Sequence, residues 1–239
     1  MEKTHILIEG CRYYGIELTE EQVQQFLDYY EILIEWNEVM NLTAITDFDE
    51  VMLKHFVDSL ALGKALPVKD GLRMIDVGTG AGFPGIPLKI AYPNLEVVLL
   101  DSLNKRVKFL NAVIEKLGLK GITAVHGRAE DFARQAEYRE SFDVSVSRAV
   151  ANMASLSEYC IPYTKVGGYF VPYKSGNIEE EIKEGKKAVQ ILGGEIEDII
   201  KFSLPGSDIE RSLVVIKKVK ETGKKYPRKA GLPSKEPLK

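Results

Sequence analysis

The segment Met74–Gly85 constrains the fold of this chain more than any other part of the sequence. It reads as a short buried strand, MIDV, followed by a glycine-rich turn, GTGAGFPG, that leads into a helix. Gly78, Gly80 and Gly82 have no Cβ and can adopt positive φ, so a ligand can approach the backbone closely. Asp76 lies near the carboxyl end of the strand, where ligands bind in open α/β sheets. The segment predicts the nucleotide-binding corner of a doubly wound fold.

From Leu72 onward, strand-like apolar runs alternate with helical segments, which is typical of a parallel sheet covered on both faces. Predicted strands occupy 73–77, 96–101, 122–126, 142–147, 168–173, 195–203 and 211–219. Predicted helices occupy 84–91, 103–117, 130–136, 151–163 and 177–192. The connection between the last two strands is too short for a parallel crossover, so the last strand should run antiparallel to its predecessor.

The N-terminal part of the chain predicts a helical cap. Thr19–Gln22 forms a capping-box pattern, and the apolar residues after it repeat at helical spacing until the segment 36–43 interrupts them. A further helix is expected over 49–66, with its inward face formed by Val51, Phe56, Val57 and Leu60. We therefore divide the chain into a helical cap (1–66), a sheet domain (67–220) and a basic tail (221–239).

Composition restricts the possible classes of protein. With 45% hydrophobic residues, the chain can bury a full core, and no apolar run reaches the roughly 18 residues of a membrane span. The N-terminus lacks a signal-peptide pattern, which favours a cytoplasmic protein. The two cysteines predict small buried hydrophobic residues, and the three scattered histidines lack metal-ligand spacing, so no metal is expected. We expect a monomer.

The net charge of −3 conceals an uneven distribution. Residues 217–239 contain nine Lys or Arg and two Glu, which gives +7, whereas the rest of the chain carries −10. A basic tail on an acidic body can neutralise phosphates locally, although a solvated, disordered end is an equal alternative from charge alone. Gly231 and Pro233 favour a defined turn that packs near the nucleotide-binding corner before the tail contacts phosphates. Removing 224–239 should then change the affinity for the nucleotide ligand little.

Two cofactors suit the glycine-rich turn. The segment Gly80–Gly85 formally matches the dinucleotide fingerprint, with Asp101 at a suitable distance for a ribose hydroxyl, but a lone match is weak. Asp76 before the glycines gives the D-x-G-x-G arrangement of S-adenosylmethionine-dependent methyltransferases, and the predicted terminal hairpin resembles the seven-stranded sheet of that class. No Tyr-x-x-x-Lys hydride-transfer motif follows. S-adenosylmethionine is therefore favoured over NAD.

Two acidic residues are further candidates for cofactor contacts. Asp101 ends the second predicted strand and could accept the ribose hydroxyls, or it could be a charge that complements the N-terminus of the next helix. Glu130 follows the third strand, where the adenine is expected, and it could instead open the next helix.

His55, Asp58 and Ser59 share one helix face and predict a polar seam between the cap and the sheet, or part of the rim over the cofactor.

A set of motifs in one order carries a more specific resemblance. They are Trp36-Asn37 with Asn41–Thr43, Lys54–Leu60, Asp76–Gly85, Asp101-Ser102, Lys105-Arg106, Gly127–Glu130, Asp143–Ala149 and Arg228–Pro233. Over nearly its whole length the chain resembles the bacterial small-subunit (16S) rRNA guanine-N7 methyltransferases, also called the glucose-inhibited division protein B family. Lys54, where Arg is expected in many members, and the segment 173–176 depart from the pattern.

The resemblance implies methyl transfer from S-adenosylmethionine to N7 of a guanine in the decoding region of 16S rRNA, on a Rossmann-like class I methyltransferase sheet. Matched motifs imply cofactor contacts at Gly78, Phe83, Ala129, Glu130 and Arg148. The glycine-rich turn and the end of the second predicted strand add Gly80 and Asp101 as candidates. The alternative for Arg148 is an ion pair with Asp143 or Asp76.

Three residues are candidates for contact with rRNA, namely Asn41, Arg228 and Lys229. Asn41 is otherwise a turn residue. No general base is expected, because guanine N7 already carries a free lone pair. The alternatives to this function are a Rossmann-type NAD-dependent oxidoreductase and a non-catalytic RNA-binding module.

Overall fold

The computed structural model describes residues 4–148 and 150–239, so the first three residues of the cap and the Ala149 end of the 143–149 motif lie outside the described residues. The strands are β1 (Arg73–Val77), β2 (Glu96–Asp101), β3 (Ile122–His126), β4 (Phe142–Arg148), β5 (Thr164–Ser175), β6 (Gly194–Ser203) and β7 (Glu210–Lys218). They form one sheet in the order β3-β2-β1-β4-β5-β7-β6.

The helices lie before, between and after these strands. The cap contains α1 (His5–Tyr13), α2 (Glu20–Met40), α3 (Phe48–Val51), a π-helical turn (Met52–Val57) and α4 (Leu62–Ala65). The remaining helices are α5 (Gly85–Ala91), α6 (Asn104–Lys116), α7 (Ala129–Phe132), α8 (Met153–Cys160), a 3₁₀ turn (Ile161–Tyr163), α9 (Glu179–Ile191) and α10 (Leu232–Lys235). No helix of the described residues is both long and apolar enough to cross a membrane.

The topology confirms the predicted fold class. Strands β1 to β5 pair in parallel, and β7 pairs antiparallel with both β5 and β6. The strand order reverses between β1 and β4, which makes the carboxyl ends of these two strands the topological switch point where ligands bind in such sheets. Strand β5 begins four residues before its predicted start, because Thr164 already pairs with Phe142.

Local signals in the cap are confirmed with two corrections. Thr19 and Gln22 form both bonds of the capping box at the start of α2. The sequence predicted that this helix would end near Trp36. Helix α2 instead continues to Met40, because the Trp36 ring packs edge-on against the Phe109 ring of α6, with 5.7 Å between the ring centres. Asn41 then ends the helix in the left-handed region at φ 50°, a conformation that asparagine tolerates well.

The predicted helix over 49–66 is interrupted by the π-helical turn and by a turn before α4. Its four predicted inward residues are nevertheless fully buried. They belong to a hydrophobic cluster that also contains residues of the sheet, such as Met74 and Val97. The cap and the sheet therefore share one hydrophobic core. Cys11 and Cys160 are both buried and free, as the sequence predicted.

Helix α7 is shorter than predicted. The pattern indicated a helix over 130–136, whereas α7 ends at Phe132. The turns that follow lead to Arg139, which donates hydrogen bonds to the carbonyls of Thr222 and Tyr226 at 2.6 and 2.9 Å. The start of the basic tail is thus held against the sheet domain.

Candidate functional site

A cavity of about 270 Å³ opens at the switch point, between the carboxyl ends of β1, β2 and β4. Its walls include Gly78 after β1, Ala129 and Glu130 at the start of α7, and Tyr159 on α8. Gly231 and Ser234 of the C-terminal tail also line the cavity. Residues from four separate parts of the sequence therefore meet where the fold predicts ligand binding.

Gly78 satisfies two geometric demands in the glycine-rich turn. Its φ is +71°, in the left-handed region, and a Cβ built on it would lie 2.7 Å from Cγ2 of Val150, which also lines the cavity. Any side chain at position 78 would therefore fill the cavity floor. Gly80, two residues on, has a φ of +63° and donates its amide to Asp101 at 3.0 Å.

Asp76 holds the glycine-rich turn in place through hydrogen bonds. One of its carboxylate oxygens accepts hydrogen bonds from the Thr79 hydroxyl at 2.7 Å and the Gly85 amide at 2.8 Å, while the other is buried with no hydrogen-bond partner among the described residues. Burial raises the pKa of Asp76 to about 6, and the two hydrogen bonds oppose that rise. The residue fixes the path of the turn and does not reach the cavity.

Asp101 is almost fully buried at the end of β2, and its carboxylate is occupied by the protein. It accepts the amide of Gly80 and, at 2.9 Å, the amide of Leu103 just before α6, and Arg106 lies 3.4 Å away. This arrangement matches the alternative prediction of a charge at the N-terminus of a helix. The contact with a ribose remains a prediction.

Glu130 opens α7, as one of its two alternatives predicted, and its contact with the cofactor remains a prediction. It lies in the first turn of α7 and also lines the cavity, with its side chain buried. One carboxylate oxygen accepts the amide of Gly231 from the C-terminal tail at 2.8 Å. Ala129 beside it accepts a hydrogen bond on its carbonyl from Tyr163 at 2.6 Å.

Phe83 and Arg148 do not line this cavity, so their contact with the cofactor remains a prediction. Phe83 is buried against Tyr29 and Phe56 of the cap, and the Arg148 guanidinium lies 5.0 Å from its ring centre. Arg148 pairs with Asp58 at 3.2 Å, not with the alternatives Asp143 or Asp76.

The predicted polar seam between cap and sheet is confirmed. His55 stacks on Phe83 at 4.6 Å and contacts Arg148 through Nδ1 at 3.3 Å and the Thr43 hydroxyl through Nε2 at 2.8 Å. Burial, followed by the nearby Arg148 charge, lowers the pKa of His55 to about 4. The imidazole is thus neutral and fully engaged, so it is not a base for catalysis.

A second cavity, of about 520 Å³, lies on the other side of Arg148. Its charged lining residues are the basic Lys54, Arg148, Lys174 and Arg211 and the acidic Asp58 and Glu181. Lys174 links the two cavities, because its ammonium donates at 2.8 Å to the carbonyl of Ala151, which lines the first cavity. Arg211 shares the carboxylate of Asp58 with Arg148 at 3.0 Å.

The three residues expected to contact RNA are placed differently. Lys229 is exposed, as a phosphate-binding residue requires, and Asn41 is an exposed turn residue at the end of α2. Arg228 instead makes three side-chain bonds to the fully buried carboxylate of Glu158, the closest at 2.7 Å, and another to the carbonyl of Glu236. This corrects the expected role of Arg228, because its charge is neutralised inside the protein.

Several site residues were not found from the sequence. Tyr159, Gly231 and Ser234 reach the first cavity only because the tail folds back onto α8, and Lys174 and Arg211 meet only because β5 pairs with β7. The one available signal was the turn chemistry of Gly231 and Pro233, which predicted a tail packed near the cleft. That packing is confirmed.

A larger cavity, of about 1020 Å³, lies between α1 and α2 in the cap. Its rim is acidic, with Glu17, Glu20, Glu31, Asp47 and Asp49. It lies away from the switch point, and its charge is unsuited to a nucleic acid. Among the described residues, no group of three or more His, Cys, Asp or Glu side chains has the arrangement of a metal site.

Comparisons with known proteins agree with this geometry. The family model described as rRNA small subunit methyltransferase G matches residues 22–214. The chain belongs to this family. A ribosomal RNA small subunit methyltransferase G of Lachnoclostridium phytofermentans is 58% identical over 238 residues, covering 100% of this chain and 98% of that protein. Another, from Acetivibrio thermocellus, is 56% identical over 233 residues, covering 98% and 96%.

Solved structures support the fold of this methyltransferase G family member. The crystal structure of TrmN from Thermus thermophilus has a TM-score of 0.52 at 15% identity, covering 68% of this chain and 48% of that one. Fibrillarin of Aeropyrum pernix, in complex with natively bound S-adenosylmethionine, has a TM-score of 0.50 at 17% identity, covering 63% and 68%. At such identities the likeness concerns the fold alone.

Proposed function

We propose that this chain transfers a methyl group from S-adenosylmethionine to N7 of a guanine in the decoding region of 16S rRNA, with the cofactor bound in the switch-point cavity. The coarser function, S-adenosylmethionine-dependent methylation of small-subunit rRNA, follows from membership in the family. The observation that carries the cofactor site is the cavity floor at Gly78, which only a residue without Cβ leaves open.

The residues around the cavity fit this cofactor. Main-chain groups of the turn from Gly78 to Gly80 would hold the amino-acid end, because positive φ at both glycines leaves the backbone uncovered. Ala129 and Glu130 would face the adenine. Asp101 accepts one hydrogen bond on Oδ1 and two on Oδ2, so Oδ1 retains a lone pair that could accept a ribose hydroxyl.

The reaction requires little proton transfer by the protein. Bound S-adenosylmethionine supplies an electrophilic methyl group on a positively charged sulfur. Guanine N7 carries a lone pair and no proton, so no general base is needed. Orientation of two reactants can by itself lower a barrier by about 7–11 kcal/mol, and the rigid wall formed by the end of β4 is suited to provide it. The absence of a base role for His55 agrees with this view.

The basic cavity beside Arg148 is the proposed entry for the RNA strand. It is connected to the cofactor cavity through Lys174, whose ammonium donates to the carbonyl of Ala151. Lys54, Lys174 and Arg211 each pair with a carboxylate in the free chain, so they would contact phosphates only by exchanging these partners. Lys229 and the other exposed lysines of the tail would extend this basic surface.

The cellular setting is proposed with the same function. An rRNA-modifying enzyme acts where ribosomal subunits are assembled, which places this chain in the bacterial cytoplasm. We propose that it acts as a monomer. Light scattering of the purified chain tests this.

Two measurements test the activity. Calorimetry with S-adenosylmethionine and with NAD should show binding of the first only. Small subunits from cells lacking this protein, incubated with the chain and S-adenosylmethionine, should gain one N7-methylguanine, located by mass spectrometry of nuclease fragments. NAD binding without S-adenosylmethionine binding would favour an oxidoreductase, and RNA binding without methyl transfer would favour a non-catalytic module.

A further inference from the structure

The C-terminal segment, residues 222–239, is built into the molecule. At its start the Thr222 hydroxyl donates to the Leu192 carbonyl at 2.6 Å, and at its middle Arg228 pairs with Glu158 of α8. Beyond these, the buried hydroxyl of Ser155 donates to the carbonyl of Pro233 at 2.8 Å. Bonds at three separate points therefore hold the segment along α8 and beside the first cavity.

Two residues of this segment form part of the cavity itself. Gly231 lines it and donates its amide to Glu130, whose carboxylate lies on the same wall. Ser234 lines it from α10, with its hydroxyl 3.0 Å from that of Tyr159, another lining residue. The wall near Ala129 and Glu130 is thus made by α7, α8 and the C-terminal segment together.

We propose that the C-terminal segment completes the cofactor site, with Gly231 and Ser234 forming the outer wall against which the adenine end of S-adenosylmethionine packs. This inference rests on the proposed function, because it takes S-adenosylmethionine as the occupant of the cavity. Arg228 is then a positioning residue: its pairing with Glu158 holds the segment in place without reaching the cavity.

The proposal reverses one expectation from the sequence. If the segment were only an RNA-binding appendage, its removal would leave cofactor affinity nearly unchanged. As a wall of the cavity, the segment contributes part of the surface that shields the adenine from water. Glu130 then makes hydrogen bonds both to the segment and to the ligand. Deleting the segment is an unsuitable test, because Glu158 would be left buried without its partner.

A pair of adjacent substitutions gives a sharper test. Ser234 lines the cavity whereas Lys235 does not, and both side chains are exposed, so neither change disturbs the core. Ser234→Phe should fill the adenine end of the cavity and weaken S-adenosylmethionine binding by at least about tenfold, whereas Lys235→Phe should stay within about twofold of the unmodified chain. Calorimetry measures both, and thermal melting without ligand should give the same midpoint for all three proteins.

The outcomes separate the possibilities. Weaker binding by Ser234→Phe alone, with unchanged melting, supports the proposal. Equal affinity of Ser234→Phe and the unmodified chain overturns it, and so does an equal loss in Lys235→Phe. If the unmodified chain itself fails to bind S-adenosylmethionine, the proposed function is what fails.

Discussion

The guanidinium of Arg228 lies 2.7 Å from the carboxylate of Glu158, whose side chain is completely buried in α8. Removing one partner of such a pair leaves an uncompensated charge and costs about 3–5 kcal/mol. Because Arg228 retains some exposure, we expect Arg228→Gln to lower the free energy of unfolding by about 3 kcal/mol. The double variant with Glu158→Gln should recover part of that loss, since no buried charge remains. Urea denaturation measures each.

Lys229→Gln is the matched control for this cycle. The side chain is exposed and adjacent in sequence, so its replacement should change stability by no more than about 0.5 kcal/mol. An Arg228→Gln variant as stable as Lys229→Gln would show that Arg228 is not a structural residue of the tail.

The ion pair of Arg228 with Glu158 is a feature that the sequence could not predict. Strands β1 to β3 have the predicted bounds because each is a short local apolar run between turn signals. The glycine-rich turn located the cavity because its turn residues and the strand that precedes them are both local patterns. The partners of Arg148 and Arg228 lie 90 and 70 residues away, and several carboxylates were equally plausible from spacing alone.

The same reasoning explains the misplaced end of α2. The segment 36–43 was predicted to interrupt the apolar stripe, whereas Trp36 and Met40 lie three and seven residues after Leu33 and continue its helix face. In the folded chain Trp36 contacts α6, a tertiary contact that no window of local sequence contains. Tertiary packing of this kind overrides local preference.

Asp76 predicts a dependence of stability on pH. Its pKa rises from 3.8 to about 6 on folding because of burial, so the folded chain binds this proton more tightly than the unfolded chain. The resulting contribution is full below pH 3.8 and is lost as the pH rises through 6, by about 3 kcal/mol in total. Asp76→Asn lacks this proton, so its stability relative to the unmodified chain should increase between pH 4 and about 7. A constant difference across that range would contradict the assignment.

His55 has the opposite effect in an overlapping range. Its pKa falls from 6.5 to about 4 on folding, so the contribution is full above pH 6.5 and is lost as the pH falls toward 4, by about 3 kcal/mol. The changes from Asp76 and His55 therefore oppose one another in the unmodified chain. Nuclear magnetic resonance titration of the imidazoles should show one that stays neutral down to about pH 4, and His55→Gln should remove that signal. An unmodified chain with no such imidazole would rule this out.

Gly78 predicts a loss of cofactor binding on substitution. Gly78→Val places a branched side chain at φ +71° and against Val150 on the cavity floor, so S-adenosylmethionine binding should become undetectable by calorimetry. Gly71→Ala is a matched control for backbone strain, since Gly71 has a φ of +74° and open space around its Cβ position at the start of β1. Circular dichroism must show that both variants fold. Binding by Gly78→Val would place the cofactor elsewhere.

The exposed lysines of the tail predict how RNA binding responds to salt. Lys229 and Lys235 lie on the segment that closes the cofactor cavity, with their side chains exposed. Each phosphate contact contributes about 0.7 to the salt slope on single-stranded RNA, so replacing both by Gln should reduce the slope by about 1.4. Cofactor affinity should not change, because neither side chain lines the cavity.

Lys116 and Lys120 provide the control for that experiment. Both are exposed and precede β3, so they lie near the amino ends of the strands, at the edge opposite the cavity. Their joint replacement by Gln removes the same charge from the chain but should leave the salt slope of RNA binding unchanged, as measured by fluorescence anisotropy over a range of salt concentrations. Equal slopes for the two double variants would show that net charge, and not the position of the tail, governs RNA binding. A reduced slope only for the tail variant would place the phosphates beside the cofactor cavity, where the proposed reaction needs them.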